Sequence, residues 1–168
     1  MAEPLHIQEQ DDLAIAMVMA RKGVDAATLG ARLGFSPPTT PHLVDGPSGV
    51  RLIGVGPGAW LALAHDPPAG WAAFLADALA GVAAVSDQSS AYVVLRLSGP
   101  GAQDLMQSGV SIDLHPDSFP PGAAAITAIA HIGVTLWKLD DAPTFEVAVF
   151  RSFAAAFRAW IAAASAHA

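Results

Sequence analysis

The strongest constraint on the fold is a set of short apolar segments joined by very short turns. Val50–Val55 and Ala59–Ala64 flank Gly-Pro-Gly at 56–58, and the segments 134–139 and 145–150 flank Asp-Asp-Ala-Pro. A parallel strand pair needs a crossover of about a dozen residues or more, whereas an antiparallel pair needs only a tight turn. These connections therefore predict antiparallel hairpins rather than parallel strand pairs.

Helical patterns alternate with these strands. Asp25 is a candidate N-cap for a helix to Leu33 that ends at Gly34, and residues 35–49 and 113–122 are predicted loops because of their turn residues. The predicted strands are 13–20, 50–55, 59–64, 82–85, 91–97, 124–132, 134–139 and 145–150. Further helices are predicted at 71–79 and 152–164, and another is predicted to follow Ser98 as its cap. The order β-α-β-β-α-β, then β-α-β-β-β-α, predicts an α+β fold of two related, partly interlocked lobes, with a boundary near 80–90.

Composition excludes several classes of protein. Hydrophobic residues make up 53% and charged residues 14%, which predicts a folded chain rather than a disordered one. The net charge of −7, with eight Lys and Arg residues, argues against a nucleic-acid partner. The longest charge-free run, 118–137, contains Pro120, Pro121 and Gly122, so no membrane span is predicted. Since the first residues also lack a signal-peptide pattern, we expect a cytoplasmic protein.

One motif suggests a cofactor and is better explained by a turn. Gly54, Gly56 and Gly58-Ala59 fit the dinucleotide fingerprint G-x-G-x-x-G/A after a strand. That mechanism needs a helix to begin there so that its amides can hold a pyrophosphate, and Pro57 removes one such amide. We therefore favour a hairpin turn, and predict no cofactor in this chain.

A second motif could supply metal ligands. Asp113, His115 and Asp117 lie close together, but the chain has no cysteine and no His pair at helical i, i+4 spacing to complete a site. Turn-forming residues are the alternative that we favour. His131 is interpreted as a structural histidine within a strand, and His65 offers no better ligand set. No metal site and no catalytic residue are predicted.

Two helices carry too little charge for an ordinary exposed surface. In the last helix Phe153, Phe157, Trp160 and Ile161 form one apolar stripe, and Arg158 is the only charge. The predicted opposite face consists of Ala154, Ala155, Ala156, Ala159, Ala162 and Ala163. The helix at 71–80 repeats this pattern, with Phe74 at helical spacing on its predicted apolar side and Asp77 as its only charge. Such faces are typical of interfaces with other chains, although alanine is also a good helix former on any surface.

The second half of the chain contains an ordered set of characteristic segments. They are Val85-Ser-Asp-Gln-Ser-Ser-Ala-Tyr-Val-Val-Leu95-Arg-Leu-Ser-Gly-Pro100, Ile112-Asp-Leu-His-Pro116, Phe119-Pro-Pro-Gly122, Leu136-Trp137, Val149-Phe-Arg-Ser-Phe153 and Trp160. In this order the segments resemble the γ subunit of heterotetrameric sarcosine oxidase. A weaker match to the same family lies in the first half, at 56–61 (Gly-Pro-Gly-Ala-Trp-Leu).

The resemblance implies a role within a larger enzyme. Enzymes of this kind have four different subunits and oxidise sarcosine to glycine, passing a one-carbon unit to tetrahydrofolate and releasing hydrogen peroxide. FAD, FMN, NAD, zinc and tetrahydrofolate would then belong to the partner α, β and δ subunits. The γ subunit, similar in fold to aminomethyltransferases with ferredoxin-like lobes, would be one domain over 1–168 without catalytic residues.

For this chain the resemblance suggests partner contacts by residues of the second half. The predicted contact residues are Asp113, His115, Phe119, Arg151 and Phe153. Two alternatives remain open at this point. The chain could be a stand-alone folate or one-carbon binding protein, or it could self-associate as a homo-oligomer through its alanine-rich faces.

Overall fold

The computed structural model describes residues 5–166, which form two compact units. The N-terminal unit comprises residues 12–90, and the C-terminal unit comprises residues 91–166 together with the segment before residue 12. That segment contributes β1 (His6–Glu9), which pairs antiparallel with a strand formed by residues 92–98. Strand β1 is therefore an edge strand of the sheet of the C-terminal unit.

The N-terminal unit is built on a five-stranded antiparallel sheet. The elements of this unit are β2 (Leu13–Ala20), α1 (Ala26–Leu33), β3 (Leu43–Asp45), β4 (Val50–Gly56), β5 (Ala59–His65), α2 (Trp71–Ala78) and β6 (Ala83–Asp87), with a short 3-10 turn at Pro47–Gly49. The order of strands in the sheet is β3-β4-β5-β2-β6, so β3 and β6 are the edge strands.

The glycine-rich motif forms the β4–β5 hairpin, as predicted. Gly56 pairs with Ala59, with an irregular register after Gly54, and Gly58 has a φ of +64°. A positive φ of this size favours glycine because it has no Cβ. The residues that resemble a dinucleotide fingerprint are therefore used to reverse the chain between two strands.

Helix α1 begins and ends where the sequence predicts. The Asp25 carboxylate accepts hydrogen bonds from the Thr28 N–H at 2.8 Å and the Thr28 hydroxyl at 2.7 Å. At the other end, Gly34 has a φ of +81° and donates its N–H to the Gly30 carbonyl at 2.8 Å. Both ends satisfy backbone groups that a helix leaves without partners.

The predicted loop at 35–49 is wrong in part, because β3 lies within it. This three-residue edge strand pairs with β4, and flanking Pro41 and Pro47 limit its length. The preceding proline-rich segment is tied to the core by Trp60, whose indole N–H donates to the Pro38 carbonyl at 2.7 Å. Such a contact across the unit gives no periodic signal in the sequence.

The C-terminal unit also contains a five-stranded antiparallel sheet. Besides β1, the elements of this unit are β7 (Tyr92–Ser98), α3 (Ala102–Gly109), β8 (Ala124–Ile129), β9 (Ile132–Asp140), β10 (Thr144–Phe150) and α4 (Ala154–Ser165), with a 3-10 turn at Arg151–Phe153 before α4. The order of strands in the sheet is β1-β7-β10-β9-β8. This order of elements confirms the predicted α+β class with antiparallel sheets.

Two local predictions in this unit are wrong. His131 is exposed in a two-residue turn between β8 and β9, because Ala130 and His131 have φ values of +49° and +67°. Positive φ at both positions is typical of a type I′ hairpin turn, usually marked by Asn or Gly. Ser98 ends β7 instead of capping α3, whose N-cap residue is Gly101.

Helices α3 and α4 pack closely at Gly109. A Cβ added to Gly109 would lie 2.4 Å from a ring carbon of Trp160, so only glycine fits without movement. Phe157 and Ile161 of α4 belong to the buried core of this unit, together with Leu105 and Met106 of α3. Within residues 5–166, no helix combines the length and apolar character needed to cross a bilayer.

Candidate interaction surfaces

The outer face of α4 is almost without charge. Its exposed alanines are Ala155, Ala156, Ala159, Ala162 and Ala163. Ala154, predicted to share this face, is instead buried in the core at 3% exposure. Arg158, the one charged residue of the helix, forms an ion pair with Glu9 of β1. The only charge on this helix is therefore partly neutralised inside the unit.

A second apolar surface lies where β7 begins and β10 ends, and we call it the aromatic end. The Tyr92 and Phe150 rings stack with centroids 4.8 Å apart, and Phe150 and Phe153 are 48% and 52% exposed. Arg151 donates a guanidinium hydrogen to the Tyr92 carbonyl at 3.0 Å, and partial burial raises the pKa of the Tyr92 phenol. This surface is neutral apart from Arg151.

Phe153 lies outside the apolar stripe that the sequence predicts for α4. It occupies the 3-10 turn before the helix and points largely to solvent. The stripe therefore consists of buried Phe157 and Ile161 with partly buried Trp160. Helical spacing fails at Phe153 because the chain there is not yet α-helical.

The exposed loop at 113–118 is held by its own hydrogen bonds. The Asp113 carboxylate accepts from the His115 N–H and from the Ser118 hydroxyl, each at 2.8 Å. These two bonds, with the His115 N–H first, lower the pKa of Asp113. The His115 imidazole Nδ1 lies 3.6 Å from Asp117. The Asp113 carboxylate thus serves to shape the loop.

The same loop is anchored at both ends. Gln107 of α3 donates to the Ile112 carbonyl at 2.8 Å and accepts from the Leu114 N–H at 2.9 Å. Phe119 is only 5% exposed, and its ring centroid lies 6.5 Å from that of Phe145. Among the five predicted contact residues, four are exposed and Phe119 lies in the core, so its ring supports folding. Partner contact by these residues stays a prediction.

A buried ion pair in the same unit is not predicted by any pattern in the sequence. Glu146 is fully buried, and one of its oxygens accepts from the Arg96 Nε and Nη2 at 3.0 and 2.7 Å. Its other oxygen accepts from the Trp137 indole at 2.8 Å. Both carboxylate oxygens are occupied, which suits a structural ion pair better than proton transfer.

Histidine 65 is similarly engaged in the N-terminal unit. Its Nδ1 lies 3.5 Å from an Asp12 oxygen, and its Nε2 lies 2.9 Å from the Arg51 Nη2. These contacts use both ring nitrogens and link β5 to β4 and to the turn before β2. Throughout the described part of the chain, no three His, Asp or Glu side chains are grouped to hold a metal ion.

Two clefts in the N-terminal unit lie beside α2. The larger, of about 500 Å³, is lined by Ala72, Ala73 and Ala76 of the helix and by Asp87. The Asp87 carboxylate accepts from the Ser89 N–H at 2.9 Å, the main cause of its lowered pKa. The smaller, of about 370 Å³, is lined by Phe74 and Trp71 among others. Phe74, predicted on the buried side of α2, is in fact 75% exposed.

Comparison with known structures supports the architecture. The chain superimposes on a chain of heterotetrameric sarcosine oxidase from Corynebacterium sp. U-96, in complex with pyrrole 2-carboxylate, with a TM-score of 0.86 and 26% identity. That match covers 97% of this chain and 84% of the other. Aminomethyltransferase T of the glycine cleavage system from Bartonella henselae matches with a TM-score of 0.65 at 13% identity, over 94% of this chain and 45% of that one, which shows a shared fold alone.

Sequence relatives point to the same family. Sarcosine oxidase subunit gamma from Arthrobacter sp. is 37% identical over 117 residues, and that from Corynebacterium sp. strain U-96 is 34% identical over 121 residues. Each match includes 68% of this chain, which spans 57% of the relative's length. The model of the sarcosine oxidase gamma subunit family matches residues 26–167. The chain therefore belongs to the sarcosine oxidase gamma subunit family.

Proposed function

We propose that this chain is a non-catalytic structural subunit of a heterotetrameric sarcosine oxidase-like flavoenzyme. The complex would oxidise sarcosine to glycine, transfer the one-carbon unit to tetrahydrofolate and release hydrogen peroxide. FAD, FMN, NAD, zinc and tetrahydrofolate would be bound by the α, β and δ subunits. This chain would contribute binding surface to them.

The observation that carries the proposal is the outer face of α4. Five exposed alanines lie on a helix whose single charge, Arg158, is paired with Glu9. Small side chains let a neighbouring chain approach closely, and a paired charge costs less to cover than one that must lose its water. The aromatic end adds Phe150, Arg151 and Phe153, residue types enriched at interfaces.

A stable assembly would have to cover more than these side chains. Specific interfaces bury roughly 1,200–2,000 Å² in total, which requires contact over more than one element. The α4 face and the aromatic end are close in sequence, because the 3-10 turn at Arg151–Phe153 leads directly into α4. We propose that both form contacts with partner subunits.

Co-purification with the partner subunits tests the proposal. The wild-type chain is expected to co-purify with them in a fixed ratio, and Ala159→Glu is expected to weaken association at least about tenfold by placing a charge in the interface. Ala27→Glu is the matched control, because Ala27 is an exposed alanine in helix α1. Association of Ala159→Glu as tight as that of Ala27→Glu would remove α4 from the interface.

Two further measurements separate the competing functions. Calorimetric titration of the isolated chain with tetrahydrofolate is expected to give no binding signal, and tight binding would favour a stand-alone folate protein. Light scattering of the pure chain reports self-association. Turnover of sarcosine by the isolated chain, or failure of the wild type to co-purify with the partner subunits, would overturn the proposal.

A further inference from the structure

We infer that the smaller cleft beside α2 receives a bulky apolar side chain of a partner subunit, next to a carboxylate of that partner that pairs with Arg32. The inference rests on the proposed function and identifies a second contact, in the N-terminal unit. We call this cleft the Phe74 groove; its walls include Arg32, Phe35, Val50, Trp71, Phe74 and Leu75.

The Phe74 groove carries the most exposed large apolar side chain of the described residues. Phe74 is 75% exposed, more than any other large hydrophobic residue from 5 to 166. It neighbours Trp71 and Phe35 along the groove. Aromatic and arginine side chains are the types that most often dominate binding energy at the centre of interfaces. An aromatic groove of this kind favours an apolar side chain as its occupant.

One wall of the groove is packed against the backbone of its own unit. A Cβ on Gly46 would lie 2.4 Å from the Phe35 ring, so the ring packs directly against the glycine backbone. Ser48, which also lines the groove, has a φ of +59°. A groove that is already formed before binding loses less entropy when it is filled.

Charge indicates the chemistry of the occupant. Arg32 is the only charged residue that lines the groove, and it forms no ion pair with any described residue. Arg32 lies in the last turn of α1 and its side chain is exposed, so its guanidinium is accessible to a partner at the groove. A carboxylate from the partner would complement Arg32.

The larger cleft beside α2 lacks this combination. Its charged residue is Asp87, whose carboxylate already accepts a hydrogen bond from Ser89. It is lined by Ala72, Ala73 and Ala76 instead of phenylalanines. We therefore place the contact at the Phe74 groove. Its volume of about 370 Å³ also lies in the range of about 300–1,000 Å³ for small-molecule pockets, so the test must separate the two occupants.

Photo-crosslinking in the assembled complex identifies the occupant. The probe is p-benzoylphenylalanine in place of Phe74, introduced into the full chain and expressed together with the partner subunits. The expected product is a partner peptide with a bulky apolar residue and an Asp or Glu within about one helical turn of it. A crosslink to a second copy of this chain, to a small molecule or to nothing would overturn the inference.

Association measurements with variants provide an independent test. Phe74→Ala is expected to weaken binding of the partner subunits at least about tenfold. Arg32→Glu is expected to weaken it about tenfold at low ionic strength and less at high ionic strength, while Arg32→Lys keeps the charge and stays within about threefold. Met19→Ala is the matched control, because Met19 is 56% exposed in the same unit and does not line the groove.

The outcomes distinguish this inference from the proposed function. If the wild type co-purifies with its partners and neither Phe74→Ala nor Arg32→Glu changes the affinity, the groove contact is wrong and the subunit role stands. If the wild type does not co-purify at all, both are wrong. Circular dichroism of each variant shows whether it folds, and the crosslink decides the question should Phe74→Ala fail to fold.

Discussion

Helices α2 and α4 share one sequence pattern and use it differently. Both are rich in alanine, carry aromatic and aliphatic residues at helical spacing, and contain one charged residue. In α4, Phe157 and Ile161 are buried and even Ala154 lies in the core. In α2, Trp71 is buried, whereas Phe74 is 75% exposed beside a groove. Helix α4 completes a core, whereas α2 leaves the ring of Phe74 open to solvent.

The difference shows how narrow a buried helix face can be. Trp71, Leu75 and Leu79 repeat every four residues and are all buried. Phe74 fits the i, i+3 spacing from Trp71, but it precedes Leu75 by one residue and so lies about 100° around the helix from it. An eight-residue helix on a sheet buries a stripe, not every apolar residue near that stripe.

The largest expected effect compares two phenylalanines. Phe157→Ala should lower the free energy of unfolding by about 3–5 kcal/mol, because it leaves a cavity in a packed core. Phe74→Ala should change it by less than about 0.5 kcal/mol, because the ring is mostly exposed. Urea denaturation of the two variants measures both. Similar losses in the two variants would show that α2 and α4 bury their aromatic residues alike.

A smaller effect compares the single charge of each helix. Arg158→Ala should lower the free energy of unfolding by about 0–1 kcal/mol, since it removes a surface ion pair with Glu9. The loss should shrink as salt is added. Asp77 has no ion pair with any residue from 5 to 166, so Asp77→Ala is the control. A salt-dependent loss for Asp77→Ala of the same size would remove the contrast between the helices.

The smallest effect concerns helix ends. Neither α2 nor α4 has a side-chain cap at its N-terminus, whereas Asp25 caps α1. Hydrogen bonds from Thr28, the hydroxyl first, lower the pKa of Asp25. The stabilisation by the Asp25 cap is therefore present above the ordinary carboxyl pKa, and it is lost as the pH falls through the lowered pKa of Asp25 in the folded state.

Substitution of Asp25 measures that cap. Asp25→Ala should lower the free energy of unfolding at neutral pH, and that free energy should then fall less when the solution is acidified. Asp25→Asn should retain the cap but has no carboxylate to titrate. Chemical denaturation of each variant at neutral and acidic pH gives the comparison. An acid-induced loss in Asp25→Asn equal to that of the wild type would show that other carboxylates account for it.

Local chemistry explains which parts of the fold were predictable. Helix α1 has a cap at each end, and strand β2 is a continuous apolar run, so both match their predicted bounds of about 25–33 and 13–20. The β8–β9 turn was missed because Ala130 and His131 carry no glycine or asparagine signal for positive φ. Strand β3 was missed because its pairing with β4 arises from a neighbour rather than from its own pattern.

The candidate surfaces could also be predicted from the sequence only in part. The small number of charges on α4 could be predicted from the sequence, because the residue composition of a helix does not depend on its tertiary contacts. The exposure of Phe74 and the pairing of Arg158 with Glu9 were not visible, since Glu9 and Arg158 lie 149 residues apart. The contacts of Glu146 could not be predicted for the same reason, because Arg96, Glu146 and Trp137 belong to three different strands.

The amino-acid sequence alone determined the alternation of short strands and helices, the antiparallel sheets, the family resemblance and the scarcity of charge on two helices. These depend on periodicity, turn residues and composition, which act over a few residues. Only the tertiary structure decided which phenylalanines are buried, where Arg158 and Glu146 find partners, and that a groove opens beside α2 at Phe74. Burial and pairing depend on which distant segments meet, and no local pattern encodes the area of surface that those segments can cover.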